Sequence, residues 1–298
     1  MNTNLDRINK AFWALSKTAE GRDQITEVTD LYLRLKIRED AFWRTILPPK
    51  VLDRRQCTRS MTHDGLVKII DIEPDASGAM AIDWRGDTGH KYVKGNRYEV
   101  PFYKIETPIQ EMKEADEFVY EMPITEIIRY LTEKDVAKTE DTIFMSATNA
   151  AVAETGKLVS SANATFTKKD LIPLFNQLDG NQNKAAVVLM TLSQFNNALA
   201  WDNTDFGSDL LSKVTVDGFQ TTKLLGRTLV VTNKNDIVKD HELYTYGIPK
   251  MLGHAFLLEE DLKFDVETEF DTFRYKSWEY IAASIGNVDS IAKLELTH

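Results

Sequence analysis

The chain is poor in cysteine, in long apolar runs and in surplus positive charge, and each shortage excludes something. Cys57 is its single cysteine, so no intramolecular disulfide can form. One free thiol suits a reducing compartment. No stretch approaches the roughly 18 apolar residues needed to cross a bilayer. The opening MNTNLDRINKAFWALSK lacks the apolar core of a secretory signal. Synthesis in a cytoplasm without a membrane stage is therefore expected. Against 36 basic side chains stand 46 acidic ones, a formal net charge of -10. Such a surface repels phosphate backbones and disfavours tight non-specific DNA binding. RRQCTRS, residues 54–60, is the best local basic patch. No aromatic residue interleaves with its arginines, so it reads as a solvated loop.

Catalytic signatures are also missing. ETGKL at 154–158 lacks the first glycine and the magnesium-binding hydroxyl of a phosphate-binding loop. No GxGxxG, HExxH or GxSxG occurs. The five histidines, His63, His90, His241, His254 and His298, have no metal-ligand spacing among themselves or with Cys57. An arginine-rich setting would lower the Cys57 pKa, yet nothing nominates a base to activate it. Carboxylates cluster at Glu259, Glu260 and Asp261, and alternate at Asp265, Glu267 and Glu269. The second set would face one way on a strand; it reads as a solvated or intersubunit face before a cation site. The expectation is no enzyme, with no catalytic, cofactor-binding or metal-ligating residues.

What the 298 residues do contain is ordinary globular composition, 43% hydrophobic and 28% charged. Residues 1–50 read as helical, with Ile25, Val28, Leu31, Tyr32 and Leu35 on one face and Pro48 and Pro49 as a stop. Phe12, Trp13, Phe42 and Trp43 are large apolar groups suited to an arm that docks elsewhere or to a helix on its own domain. Residues 63–97 hold two short strand-like runs, LVKIIDI and AMAIDW, split by turn chemistry at PDASG and RGDTGHKYVKGN. That suffices for a two-stranded ribbon but not for a core, and an isolated ribbon is marginal in water. RYEVPFYKIETPIQ, 97–110, reads as one long strand with Tyr103, Ile105, Thr107 and Ile109 on its buried face, and with Pro101 and Pro108 arguing for an edge or bulges.

Pro123 opens a helix of roughly 20 residues carried by Ile124, Ile127, Ile128 and Leu131 and extended by Val136, Ile143 and Phe144. Residues 165–262 alternate. A helix follows Thr167; AAVVLM (185–190) is a fully buried strand; TLSQFNNALAW is a helix, as is 209–214. Strands then pivot at Gly226 and run at 242–246 and 254–258. The end, KFDVETEF and RYKSWEYIAASIGNVDSIAKLEL, reads as strands broken at Gly286 that return to the sheet begun at residue 97.

This order of parts resembles the major capsid proteins of tailed bacteriophages, the Hong Kong 97-type fold. AKTEDTIFMSA resembles that family's acidic pair before an aromatic at the end of the spine helix. DLLSKVTVDGFQTTKLLGRTLVVTN resembles its glycine pivot, and WEYIAASIGNVDSIAKLEL its closing strands. The resemblance implies an α+β Hong Kong 97-type capsid fold: an N-terminal arm and helix at 1–62, an extended β-ribbon loop at 63–97, a peripheral domain with a spine helix at 98–160 and 263–298, and an inserted axial domain at 161–262. It implies self-assembly through hexamers and pentamers into an icosahedral shell around phage double-stranded DNA, in a virion assembled in the host cytoplasm. Portal and scaffold or decoration proteins would be partners, DNA contacts would be weak and non-specific, and no membrane is involved. An encapsulin-like compartment with protein cargo shares the fold and is the alternative; an α+β enzyme is the third. The chain starts at Met1 with no added scaffolding or protease segment, which implies a separate scaffold or none. Some relatives crosslink a ribbon lysine to a neighbour's asparagine. Lys91, Lys94 and Asn287 are placed for this, but no catalytic acid accompanies them, so no crosslink is expected.

Overall fold

The computed structural model describes residues 41–60, 65–72, 81–82, 84, 95–113, 124–163, 165–180, 183–199, 223–224, 226–258 and 263–297. The apolar face of residues 25–35, the run AMAIDW in large part, the helix at 209–214 and the acidic cluster Glu259–Asp261 lie outside them.

Three sheets and one long helix organise the described residues. In the first sheet the central strand is β14 (Thr272–Ile285), paired with β12 (Gly253–Leu258), β13 (Lys263–Glu269), β5 (Tyr103–Glu106) and β6 (Gln110–Lys113). β1 (Lys50–Leu52) adds to β12 in parallel. The second sheet runs β7 (Leu158–Ser161), β15 (Ile291–Leu296), β11 (Glu242–Tyr246), β8 (Val187–Thr191), β10 (Arg227–Thr232), β9 (Lys223–Leu224). A third, small sheet joins β2 (Thr58–Arg59), β3 (Leu66–Ile72) and β4 (Asn96–Pro101), all antiparallel.

The helix α2 spans Ile124–Thr155, 32 residues against the roughly 20 expected, a rod of about 48 Å. The register shift near Val136 does not end it. It ends at Gly156, whose φ of 65° is the left-handed conformation that closes helices and that glycine adopts at no steric cost. Val136, Ala137, Phe144, Met145, Ala151 and Val152 of α2 pack in one core with Ile105, Phe264, Tyr275 and Ile281 of the first sheet and Val187, Leu189, Tyr244 and Tyr246 of the second. The helix thus unites two sheets that would otherwise need separate cores.

The opposite face of the second sheet is covered by α3 (Lys168–Asp179), through Leu171, Leu174, Phe175 and Leu178 against Val188, Met190, Leu243 and Leu294. β8 is therefore sandwiched between helices, its residues alternating between two cores, and all five are buried. This explains the uninterrupted apolar run in the sequence. α3 opens at Thr167, as expected. The Asp170 carboxylate accepts the Thr167 N–H at 2.9 Å and the Thr167 hydroxyl at 2.6 Å. A short α4 (Leu192–Leu199) follows β8, and the pivot at Gly226 has φ of 80° between β9 and β10.

Three features of the sequence reading need correction. The stretch 97–110 is three strands in two sheets, because Pro101 closes β4 and Pro108 falls between β5 and β6. Ile105 and Thr107 are buried as expected, but Tyr103 and Ile109 are more than half exposed. The run 254–258 pairs in the first sheet, with β14, not in the second. The closing strands divide: β14 returns to the sheet that contains β5, whereas β15 crosses to the second and pairs with β11 and β7. Among the described residues no helix is long and apolar enough to cross a membrane.

Candidate assembly interface

β3 and β4 form a stalk whose burial declines along its length. At its foot Val67 and Val100 are fully buried; Ile69 is 38% and Ile72 44% exposed. The outermost described pairs carry an Asp71–Arg97 ion pair at 2.6 Å with both side chains more than two-thirds in solvent. The foot is anchored where Val100, Leu52, Phe256 and Ala282 cluster, with Ile70, Tyr98 and Phe102 packed around them. Ile82 and Trp84, farther along, are 50% and 94% exposed. Described residues of 63–97 thus bury their base on the chain and present apolar groups outward beyond it.

The segment just before β1 docks on its own chain. The short helix α1 (Trp43–Ile46) buries Trp43 and Ile46 against α2, with the Trp43 and Phe144 ring centroids 6.0 Å apart. The acidic pair singled out in AKTEDTIF is the receptor. Glu140 accepts the Trp43 indole N–H at 2.6 Å and Arg44 Nε and Nη2 at 2.8 and 2.5 Å. Arg44 also reaches Glu279 on β14, at 3.2 Å. Asp141 accepts the Trp43 backbone N–H at 3.1 Å and pairs with Lys234 Nζ at 2.5 Å. Two adjacent carboxylates in one helical turn both hold Trp43 and reach different cations, Arg44 and Lys234, so the pair ties α1, α2, β14 and the loop after β10 together. Burial is the largest influence on Asp141 and, against the pull of Lys234, pushes its pKa up to about 6.

The groups weighed for chemistry are scattered. Cys57 is half-buried, and desolvation pushes its thiol pKa up despite Lys68, the reverse of the activated thiolate an arginine-rich loop would give. His254 lies parallel to the Phe256 ring at 6.0 Å, and burial lowers its pKa. Asp265, Glu267 and Glu269 do share the exposed face of β13, roughly 7 Å apart in succession, too far for one small ion; Glu269 pairs with Arg274. Lys91 and Lys94 lie outside the described residues. Asn287 Oδ1 accepts the Asp289 N–H at 3.0 Å, capping the turn Val288–Ser290.

One cluster escaped the sequence reading because its members are 54 positions apart: His241, Glu242 and Glu295, within 4.8 Å of one another. The antiparallel pairing of β11 with β15 sets Glu242 opposite Glu295, a contact that no local spacing encodes. Lys293 Nζ already lies 2.8 Å from Glu242 and 3.5 Å from Glu295. Burial would raise the Glu242 pKa, but Lys293 outweighs it and holds the group below its usual value. An ammonium group thus fills the role a metal would have.

No family model matches the chain, and no curated protein matches it by sequence. Solved structures do match by shape. A chain from Mycobacterium phage Adephagia aligns with a TM-score of 0.61 at 11% identity, covering 87% of this chain and 91% of that one. A chain from the capsid structure of cyanophage P-SCSP1u aligns with 0.57 at 12%, covering 84% and 89%. A chain of a virus-like particle from Pyrococcus furiosus aligns with 0.55 at 14%, covering 91% and 100%. Over most of its length, the chain shares the α+β fold of these three solved chains.

Proposed function

We propose that the chain is the major capsid subunit of a tailed bacteriophage, assembling with copies of itself into an icosahedral shell around double-stranded DNA. The observation that carries this reading is the combination of that fold with a stalk at 65–72 and 95–101 that leaves Ile69 and Ile72 exposed beyond its buried foot. A stalk of this kind gains its missing burial from a neighbour, which makes stability depend on assembly. The division into arm (1–62), ribbon (63–97), peripheral part (98–160 and 263–298) and axial part (161–262) is the corresponding proposal. In it, β12 and β15 exchange sheets across the boundaries. The subunit's role is structural, not catalytic, and its location is the virion after assembly in a host cytoplasm. Portal and scaffold or decoration proteins are its further partners. A net charge of -10 supports weak, non-specific contact with packaged DNA.

Negative-stain microscopy and sedimentation of the purified full-length chain test this. Uniform closed particles are expected; a monomer or small oligomer at every concentration up to the solubility limit refutes it.

A further inference from the structure

The hairpin joining β13 to β14 closes at the Glu269–Thr272 pair, leaving Phe270 and Asp271 as its two-residue tip. Phe270 is 96% exposed and has φ of 55°. Such a tight turn calls for glycine or asparagine at positive φ, and a bulky side chain there is an outlier that persists only where something holds it. The stem is stiff: Arg274 donates to Glu111 on β6 at 2.7 Å and pairs with Glu269 across the hairpin. A large apolar group is thus held rigidly in water, on a strained backbone, next to a carboxylate. Among the described residues Asp271 takes no ion pair; it accepts from the Thr272 hydroxyl at 3.4 Å.

At the other end of β14 lies a cavity of about 320 Å³. Leu66, Phe102, Leu258 and Tyr280 line it, together with the exposed Arg54 and Lys104. A dry cavity of roughly 150 Å³ already accepts benzene, so a phenyl ring fits with room to spare. Lys104 is committed to Glu106 at 2.5 Å. The Arg54 guanidinium has no such partner among the described residues.

Knob and cavity match in kind: an exposed ring beside a carboxylate, and an apolar recess beside a guanidinium, neither ion-paired among the described residues. They cannot meet within one chain. Thr272 and Tyr280 are eight positions apart on one strand, roughly 26 Å.

We infer that the Phe270–Asp271 tip of one subunit seats in the Arg54–Leu66–Phe102–Leu258–Tyr280 cavity of a second copy, phenyl ring inward and Asp271 against Arg54. Two different patches meet in this contact; unless a two-fold axis returns it reciprocally, it is heterologous and propagates from copy to copy to close a ring or shell. It rests on the shell reading and names one of that shell's contacts.

The test uses the full-length chain, scored for particles by sedimentation velocity and negative stain over a concentration series, and for melting of the dissociated subunit. Phe270→Gly should raise the concentration needed for half-assembly at least about tenfold, while the subunit's melting temperature holds or rises because the strained φ is relieved. Arg54→Asp and Asp271→Arg should each impair assembly, and the double exchange should restore it. Assembly of Phe270→Gly at the wild-type concentration overturns the inference. So does a double exchange without rescue, which would show that Asp271 and Arg54 do not meet. A wild-type chain that forms no particle at all overturns the shell reading and this contact with it, whereas the first two results leave the shell standing.

Discussion

Arg44 is the side chain on which the clasp between α1 and α2 turns. It is 7% exposed and faces the carboxylates of Glu140 and Glu279, themselves 2% and 1% exposed. Buried pairs of this kind add little compared with a good apolar replacement, but removing one partner strands the other charge. Glu140→Gln is therefore expected to destabilise the subunit by roughly 3 kcal/mol, the low end for a broken buried pair because Glu279 remains. Removing the cation instead, Arg44→Met, takes the guanidinium from both Glu140 and Glu279 and should cost more, on the order of 5 kcal/mol. Calorimetry of the two variants checks it; equal losses would show that packing, not charge, holds α1.

Asp141, one residue on, behaves oppositely to an ordinary ion-paired carboxylate. Its native pKa of about 6 lies above its ordinary value of 3.8. Between those values the native state keeps a proton that the unfolded chain has released. Stability from this group is therefore fully present below about pH 4, falls as pH rises through the window, and levels off above about pH 6. At about 1.4 kcal/mol per pH unit, the swing is at most about 3 kcal/mol. Asp141→Asn should flatten that part of the pH profile while keeping the hydrogen bond to Trp43. Thermal melts of both proteins from pH 4 to 7 read the difference, and parallel profiles would contradict the burial argument.

At the scale of elements, the meeting of β12 and β14 sets a steric limit. Gly253 pairs with Ile285, and a Cβ at Gly253 would lie 2.1 Å from the Ser284 carbonyl oxygen, which is backbone and cannot swing aside. Gly253→Ala should force the strands apart and lower stability by about 3 kcal/mol, at the upper end for overpacking. Hydrogen exchange would then show faster exchange along β12 than in the second sheet, where α3 and the Asp170 cap are untouched; uniform loss across both sheets would argue against a local origin.

At the scale of the whole molecule, the described residues form two larger sheets joined by α2, with a stalk leaving the first. If the stalk finds its burial on a neighbour, polar groups on its outward residues damage assembly more than folding. Ile69→Asp with Ile72→Asp is expected to abolish or strongly reduce particles while leaving the subunit's melting temperature within about 2 °C, since surface changes are usually worth within about 0.5 kcal/mol. Particles at the wild-type yield would mean that the stalk is not buried between subunits.

Local chemistry determined much of this in advance. Apolar periodicity marked the long helix, an uninterrupted apolar run marked β8, Thr167 marked the start of α3, and Gly226 marked a pivot, because each signal lies within a few residues of the structure it produces. That the run LVKIIDI could form a ribbon but not a core was legible in the same way, though which of its isoleucines stay exposed was not. Tertiary structure alone decided what depends on distant partners. The sheet each closing strand joins, the docking of Trp43 and Arg44 on an acidic pair 97 positions away, and the approach of His241 to Glu295 are fixed by strand register and by packing around α2. Pairing energies between remote segments leave no periodic trace along the chain, and so the three strands of 96–113 read as one until the sheets that divide them were seen.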